Sequence, residues 1–191
     1  MCMKFCSLLT LLYLFVLPGE VAAQNRYFTK TGYIWFFSKA PLEDIEAHNR
    51  KVVSFIDFAT GEMAFAAPMK EFGFRKSLMQ HHFNENYVES DKYPKATFTG
   101  KFSHPQQVDL TAHATYKVQV EGVLTIHGVE KKISAPGTLE VNNGKVVGKS
   151  EFTVQPQDFD IAIPLLVREH IAKEITIYVD MLYQPYLNNT P

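Results

Sequence analysis

Apolar and polar residues alternate along much of the chain, which is the pattern of β-strands that bury one face. The clearest run covers residues 115–127, where Tyr116 and Val118 begin a row of apolar residues at alternate positions. Gly122 interrupts this run, and a glycine inside a strand predicts a bend or a bulge. We therefore predict a half-buried strand with a break near its middle.

The same alternation predicts about eight strands. Two pairs of them are joined by short segments that contain glycine, residues 59–61 and 142–144, which predict hairpins. Helical spacing is visible in residues 42–48 and in residues 75–87. The predicted strands cover residues 27–37, 51–58, 62–69, 96–102, 115–127, 129–141, 146–154 and 175–183.

These elements predict an all-β fold, mainly antiparallel, with one or two short helices. The strand count fits both a closed barrel and a two-sheet sandwich, and the sequence alone does not separate them. We favour an eight-stranded barrel because closing a sheet removes the exposed edges that promote aggregation. The interior of such a barrel is filled by side chains or holds one small ligand.

The first 23 residues have the three parts of a secretory signal peptide. Lys4 supplies a positive charge, an apolar run extends to Leu17, and small residues occupy positions 21–23. The apolar run is shorter than the roughly 20 residues that a membrane-spanning helix needs. We predict cleavage after Ala23, which leaves residues 24–191 as one periplasmic or secreted domain with no stable membrane span.

Composition and motifs argue against several classes of chemistry. Both cysteines lie in the predicted signal segment, so the mature domain has no disulfide and no cysteine nucleophile. The net charge of −1 provides no basic excess for nucleic acid. His81 and His82 are adjacent, unlike the i, i+4 pair of a zinc protease. Asp158 and Asp160 are two residues apart and predict a solvated loop rather than the facing carboxylates of a glycosidase. We predict no metal, no cofactor and no catalytic residue.

Aromatic content suggests a different function. The chain has 15 phenylalanines, and most of them are expected to pack the core. An eight-stranded barrel with large apolar residues also has room for the tail of an apolar ligand. Burying roughly ten methylene groups at about 0.8 kcal/mol each corresponds, before binding costs, to micromolar affinity.

Three motifs resemble the YceI family, and their order and spacing agree with it over most of the mature chain. Asp160 departs from the family, which usually has glycine there. The sequence leaves open whether this carboxylate faces the cavity, where it would change or block entry of a ligand. The motifs are residues 74–100, the hairpin sequence Gly122, Leu124, Thr125, Ile126, His127, Gly128 and Val129, and residues 158–161.

The resemblance implies a lipocalin-like barrel, a periplasmic or secreted location and an apolar cavity that binds a polyisoprenoid or similar amphiphilic lipid. It implies no catalytic residue. Two alternatives stay open: a structural or interaction module with a filled interior, and an enzyme acting on an amphiphile through His81, His82 or His127. The sequence also leaves a homodimer open. The candidate lipid-binding residues are Phe72, Phe83, Tyr87, Val120, Leu124, Ile126, Phe152, Phe159 and Ile161.

Overall fold

Eight antiparallel strands close into a barrel in the computed structural model, which describes residues 25–186. The strands of this region are β1 (Arg26–Lys39), β2 (Asp44–Asp57), β3 (Glu62–Pro68), β4 (Gly73–Phe74), β5 (Lys95–Phe102), β6 (Ala114–Ile126), β7 (Val129–Asn142), β8 (Lys145–Val154) and β9 (Ile175–Pro185). The ring runs β1, β9, β8, β7, β6, β5, β3, β2 and back to β1, and β4 adds a two-residue pairing to β2. The predicted eight-stranded barrel is confirmed. The predicted signal segment, residues 1–23, lies outside the described residues.

One short helix, α1 (Ser77–His82), continues directly into a π-helical turn, Phe83–Tyr87. These two elements confirm the helix predicted over residues 75–87. Within residues 25–186, no helix has the length and apolar composition needed to cross a bilayer.

The helix predicted over residues 42–48 is wrong, because most of this segment belongs to β2. Ile45 lines the barrel interior and Ala47 is fully buried, so alternate residues face inward as in a strand. Ala47 pairs with Phe36 of β1 on one side and with Phe74 of β4 on the other. Pairing with two neighbours outweighs the weak local spacing that predicted a helix.

The predicted hairpins are confirmed, and two hairpin tips share one geometry. His127 and Gly128 join β6 to β7 with φ values of 53° and 77°. Asn143 and Gly144 join β7 to β8 with φ values of 50° and 73°. Two successive residues with positive φ define the type I′ turn, whose twist matches that of the flanking strands.

The break predicted at Gly122 is not a bulge, since β6 pairs with both neighbours without a register shift. Gly122 lies opposite Gly100 of β5, and the ring of Phe98 covers both residues. A Cβ atom on either glycine would lie 2.6 Å from the Cζ atom of that ring. The two glycines are therefore required by close packing beneath Phe98.

The barrel interior is filled at one end, which we call the closed half, and hollow at the other, the open half. At the centre of the closed half, the Tyr183 hydroxyl donates to Ser54 Oγ at 2.8 Å, and Ser54 donates to the Ala64 carbonyl at 2.9 Å. Burial raises the pKa of Tyr183 to about 12. The closed half contains Tyr27, Val52, Ile56, Phe58, Phe102, Leu139, Val141, Val146, Met181 and Tyr183, all buried.

Candidate functional site

An apolar cavity of about 450 Å³ occupies the open half of the barrel. Seven strands contribute inward side chains to its wall, and residues 69–88, which we call the lid, lie over it. The volume lies within the range of about 300–1,000 Å³ that is usual for small-molecule sites. Representative wall residues, one from each contributing strand of the barrel, are Ile34, Ile45, Phe65, Ala96, Leu124, Phe152 and Ile177.

Most of the residues predicted from the sequence lie in this cavity wall. Val120 does not, because it packs between the two clusters of buried residues, farther toward the closed half than Leu124. Whether the wall residues contact a lipid stays a prediction. The predicted residues that line the cavity are Phe72, Phe83, Tyr87, Leu124, Ile126, Phe152, Phe159 and Ile161.

An aromatic cluster attaches the lid to β1. The ring centroid of Phe83 lies 5.7 Å from that of Phe36, 5.8 Å from that of Phe72 and 5.0 Å from that of Phe74. These distances and tilted geometries are those of favourable aromatic pairs. Burial raises the pKa of the Tyr87 hydroxyl at the end of the lid. Four phenylalanines therefore hold the lid over the cavity.

Polar side chains meet at the mouth of the cavity. The Glu43 carboxylate accepts a hydrogen bond from Lys76, and its Oε2 lies 3.7 Å from His170 Nδ1. The hydrogen bond from Lys76 lowers the pKa of Glu43. Ser38 accepts a hydrogen bond from the Ala172 N–H at 2.9 Å. Glu43 thus connects the β1–β2 turn, the start of α1 and the β8–β9 loop around one opening.

His127 fixes one side of the cavity wall. Its Nδ1 lies 3.1 Å from the Phe159 carbonyl and its Nε2 lies 2.8 Å from the Glu89 carboxylate. Both partners are hydrogen-bond acceptors. The ring also packs edge-on against Tyr93, with centroids 4.6 Å apart. His127 therefore joins the β6–β7 tip to Glu89, which directly follows the lid, and to the loop that carries Phe159.

Asp160 is exposed and does not line the cavity, which answers the question that the sequence left open. Its φ of 55° places the backbone in the left-handed region. Glycine adopts this region without steric cost, and aspartate tolerates it better than most residues. A glycine at this position, which the resemblance implies, would adopt the same backbone geometry at no steric cost.

The cavity residues that the sequence did not predict include two instructive groups. Ile34 and Phe36 alternate along β1, and this signal was available. Val167 and Ile171 lie in the long β8–β9 loop, whose sequence has no strand or helix periodicity. Residues of such a loop are placed only by tertiary contacts.

Known proteins share this architecture. A polyisoprenoid binding domain from Saccharophagus degradans, implicated in plant cell wall breakdown, has a TM-score of 0.72 at 14% identity, over 85% of this chain and 99% of that chain. BcnA from Burkholderia cenocepacia has a TM-score of 0.65 at 18% identity, over 80% of this chain and 95% of that chain. These likenesses are likenesses of fold. No protein of curated function matches the chain by sequence.

The family of the YceI-like domain matches residues 39–182, a range that contains β2 to β8 and most of β9. The match includes the α1 helix, the hairpin tip at His127 and the loop that carries Phe159. It covers well over half of the chain, and the resemblance expected from the three motifs is confirmed. This chain belongs to the YceI-like domain family.

Proposed function

We propose that this protein is an exported, non-enzymatic binding protein that holds the tail of an amphiphilic lipid, of the polyisoprenoid class, inside the barrel. The observation that carries the proposal is the apolar cavity of about 450 Å³, with its polar groups gathered at one mouth. This arrangement suits a molecule with a long apolar tail and a small polar head.

The size of the cavity sets the length of tail that it holds. A water-sized group occupies about 30 Å³, so the cavity accommodates about 15 groups of that size, or about three isoprene units. Burying about 15 carbons contributes about 12 kcal/mol. A binding cost of about 4 kcal/mol leaves about 8 kcal/mol, which is micromolar affinity. The rest of a longer polyisoprenoid would extend through the mouth.

Other observations support the class of ligand and the location. The Saccharophagus degradans domain of the same fold is described as polyisoprenoid binding. The signal-like sequence of residues 1–23 supports export to the periplasm or beyond the cell. Against the enzymatic alternative, His127 is engaged with two acceptors and His81 does not line the cavity. His82 lines the cavity, and it is exposed. Against the filled-module alternative, the open half retains a cavity of ligand size.

Two measurements test the proposal. Native mass spectrometry of protein gently extracted from its own cell envelope should show a bound molecule whose mass fits an isoprenoid lipid. Equilibrium dialysis of delipidated protein should bind radiolabelled farnesol, a three-unit isoprenoid alcohol, at micromolar concentration, and unlabelled geraniol, with two units, should compete more weakly. Bare protein in the first measurement, together with no retention of farnesol in the second, would refute the proposal.

A further inference from the structure

Exposed leucines surround the opening of the cavity. Within residues 25–186, seven large apolar side chains are exposed, and four of them lie in the segments that border the mouth. Leu42, Leu78, Leu165 and Leu166 are 66%, 63%, 74% and 94% exposed. Leu78 also lines the cavity itself. We call these four residues the leucine rim.

Direct contacts join the segments that carry the leucine rim. The Leu42 N–H donates to the Glu169 carbonyl at 3.0 Å, which links the β1–β2 turn to the β8–β9 loop. The neighbouring Glu43 accepts from Lys76, just before α1, and approaches His170 in the same loop. The three segments that carry the leucine rim are therefore joined to one another, and Leu78 connects the rim with the apolar wall of the cavity.

The charge around the leucine rim indicates which surface it fits. Residues 39–44, 75–82 and 164–174 together carry five lysines and arginines and four aspartates and glutamates. This near balance matches a zwitterionic surface and gives little attraction to a strongly charged one. A protein seated on the rim would cover the mouth, whereas lipid chains would extend the cavity's own apolar environment.

Transfer of the ligand supplies a physical reason for such contact. A tail that leaves the cavity through water exposes its methylene groups. Each exposed methylene group lowers the equilibrium constant for release of the tail into water about fourfold. A mouth seated in a bilayer avoids this exposure. Amphipathic surfaces that seat apolar side chains at the boundary between head groups and acyl chains bind membranes in this manner.

We propose that the leucine rim docks on a lipid bilayer, so that the tail of the ligand passes between membrane and cavity without entering water. This inference rests on the proposed function for the identity of what is transferred. The docking itself is a property of the surface and is measured without a ligand. Because the charges are nearly balanced, docking depends on apolar insertion and only weakly on ionic strength.

Flotation with phosphatidylcholine vesicles tests the docking. The unmodified protein should float with the vesicles at low salt and in 1 M sodium chloride. The double variant Leu165→Ser/Leu166→Ser should bind about 100-fold more weakly, about tenfold for each leucine removed. Val53→Ser/Leu182→Ser is the matched control, since these two exposed apolar residues lie in β2 and β9 on the barrel wall, and it should float like the unmodified protein.

Several outcomes would overturn the inference. The unmodified protein would fail to float with phosphatidylcholine vesicles, or the two double variants would lose vesicle binding equally. The protein could also bind only phosphatidylglycerol vesicles, in a way that high salt abolishes. A dimer in analytical ultracentrifugation that the Leu165→Ser/Leu166→Ser change dissociates would show that a second copy, not a bilayer, covers the rim.

Farnesol binding separates this inference from the proposed function. The variant Leu165→Ser/Leu166→Ser should bind farnesol as the unmodified protein does in dialysis, yet accept it from vesicles more slowly. Farnesol binding without flotation refutes the docking alone. Flotation without farnesol binding refutes the proposed function and the transfer, and leaves only the membrane contact.

Discussion

Replacing Ala67 by phenylalanine should fill the cavity without unfolding the barrel. Ala67 is 2% exposed, lies in β3 and lines the cavity. Its partner on β5, Ala96, is also small and also lines the cavity. The wall therefore has no large side chain at this pair, and an added ring extends into empty space. Ala66 precedes it on the same strand and is outside the cavity wall, so Ala66→Phe is a matched control.

The magnitude follows from the volume that the new ring occupies. Filling on the order of 100 Å³ of void is worth about 2 kcal/mol, at about 24 cal/mol per Å³, and steric adjustment offsets a similar amount. We therefore expect the free energy of unfolding to change by less than about 2 kcal/mol. The ring takes the place of about four methylene groups of the ligand, or about 3 kcal/mol, so farnesol should bind at least about 100-fold more weakly.

Dialysis with radiolabelled farnesol and urea unfolding measure the two quantities on the same samples. Ala66→Phe should leave the dissociation constant of farnesol unchanged. Undiminished farnesol binding by Ala67→Phe would show that the tail does not occupy this cavity. A loss of binding accompanied by a large loss of stability would instead indicate a distorted barrel. In that case the smaller change Ala67→Val should still weaken farnesol binding while the free energy of unfolding stays unchanged.

Three further predictions concern the closed half and the hairpin tips. Burial raises the pKa of Tyr183 from 10.0 to about 12, so the neutral hydroxyl contributes about 2–3 kcal/mol to the free energy of unfolding below pH 10, and this contribution is lost as the pH rises through 12. In alkaline unfolding, Tyr183→Phe should therefore lose less stability over that range than the unmodified protein, and parallel curves would contradict this. Gly128→Ala and Gly144→Ala share a backbone cost of about 1 kcal/mol because both glycines have positive φ, but only Gly128→Ala places a Cβ atom 2.6 Å from a ring, that of Tyr93. In urea unfolding, Gly128→Ala should lower the free energy of unfolding by about 1–3 kcal/mol more than Gly144→Ala, and equal losses would refute the clash. His127→Ala should destabilise the protein by about 2 kcal/mol more than His104→Ala, because both residues have positive φ and only His127 contacts two acceptors. Equal decreases in melting temperature for the two variants would argue against a role of His127 in fixing the cavity wall.

The sequence predicted which side of a strand faces inward, but not how far along the barrel a residue lies. Leu124 and Val120 belong to the same inward row of β6. Leu124 lines the cavity, and Val120 lies in the packed interior. Alternation with a period of two specifies a face and carries no information about depth. Depth is set by the register of β6 against β5 and β7, which depends on the whole ring.

The mouth of the cavity could not be predicted at all. Glu43, Lys76 and His170 come from three loops that are distant in sequence. Each looks like an ordinary surface residue when only its neighbours in sequence are considered. By contrast, the barrel and the helix at residues 75–87 were predicted correctly, because periodicity and turn residues are local signals.

The closed and open halves of the barrel place the residues that stabilise the fold and the residues that shape the cavity largely at opposite ends of the molecule. Of the 21 buried apolar residues in the described region, eight line the cavity and thirteen do not. Most of the buried apolar residues are therefore not altered by substitutions in the cavity wall, so the shape of the cavity can change while the closed half keeps its packing. Variants altered in the cavity wall should differ mainly in what they bind, and variants altered in the closed half should differ mainly in melting temperature.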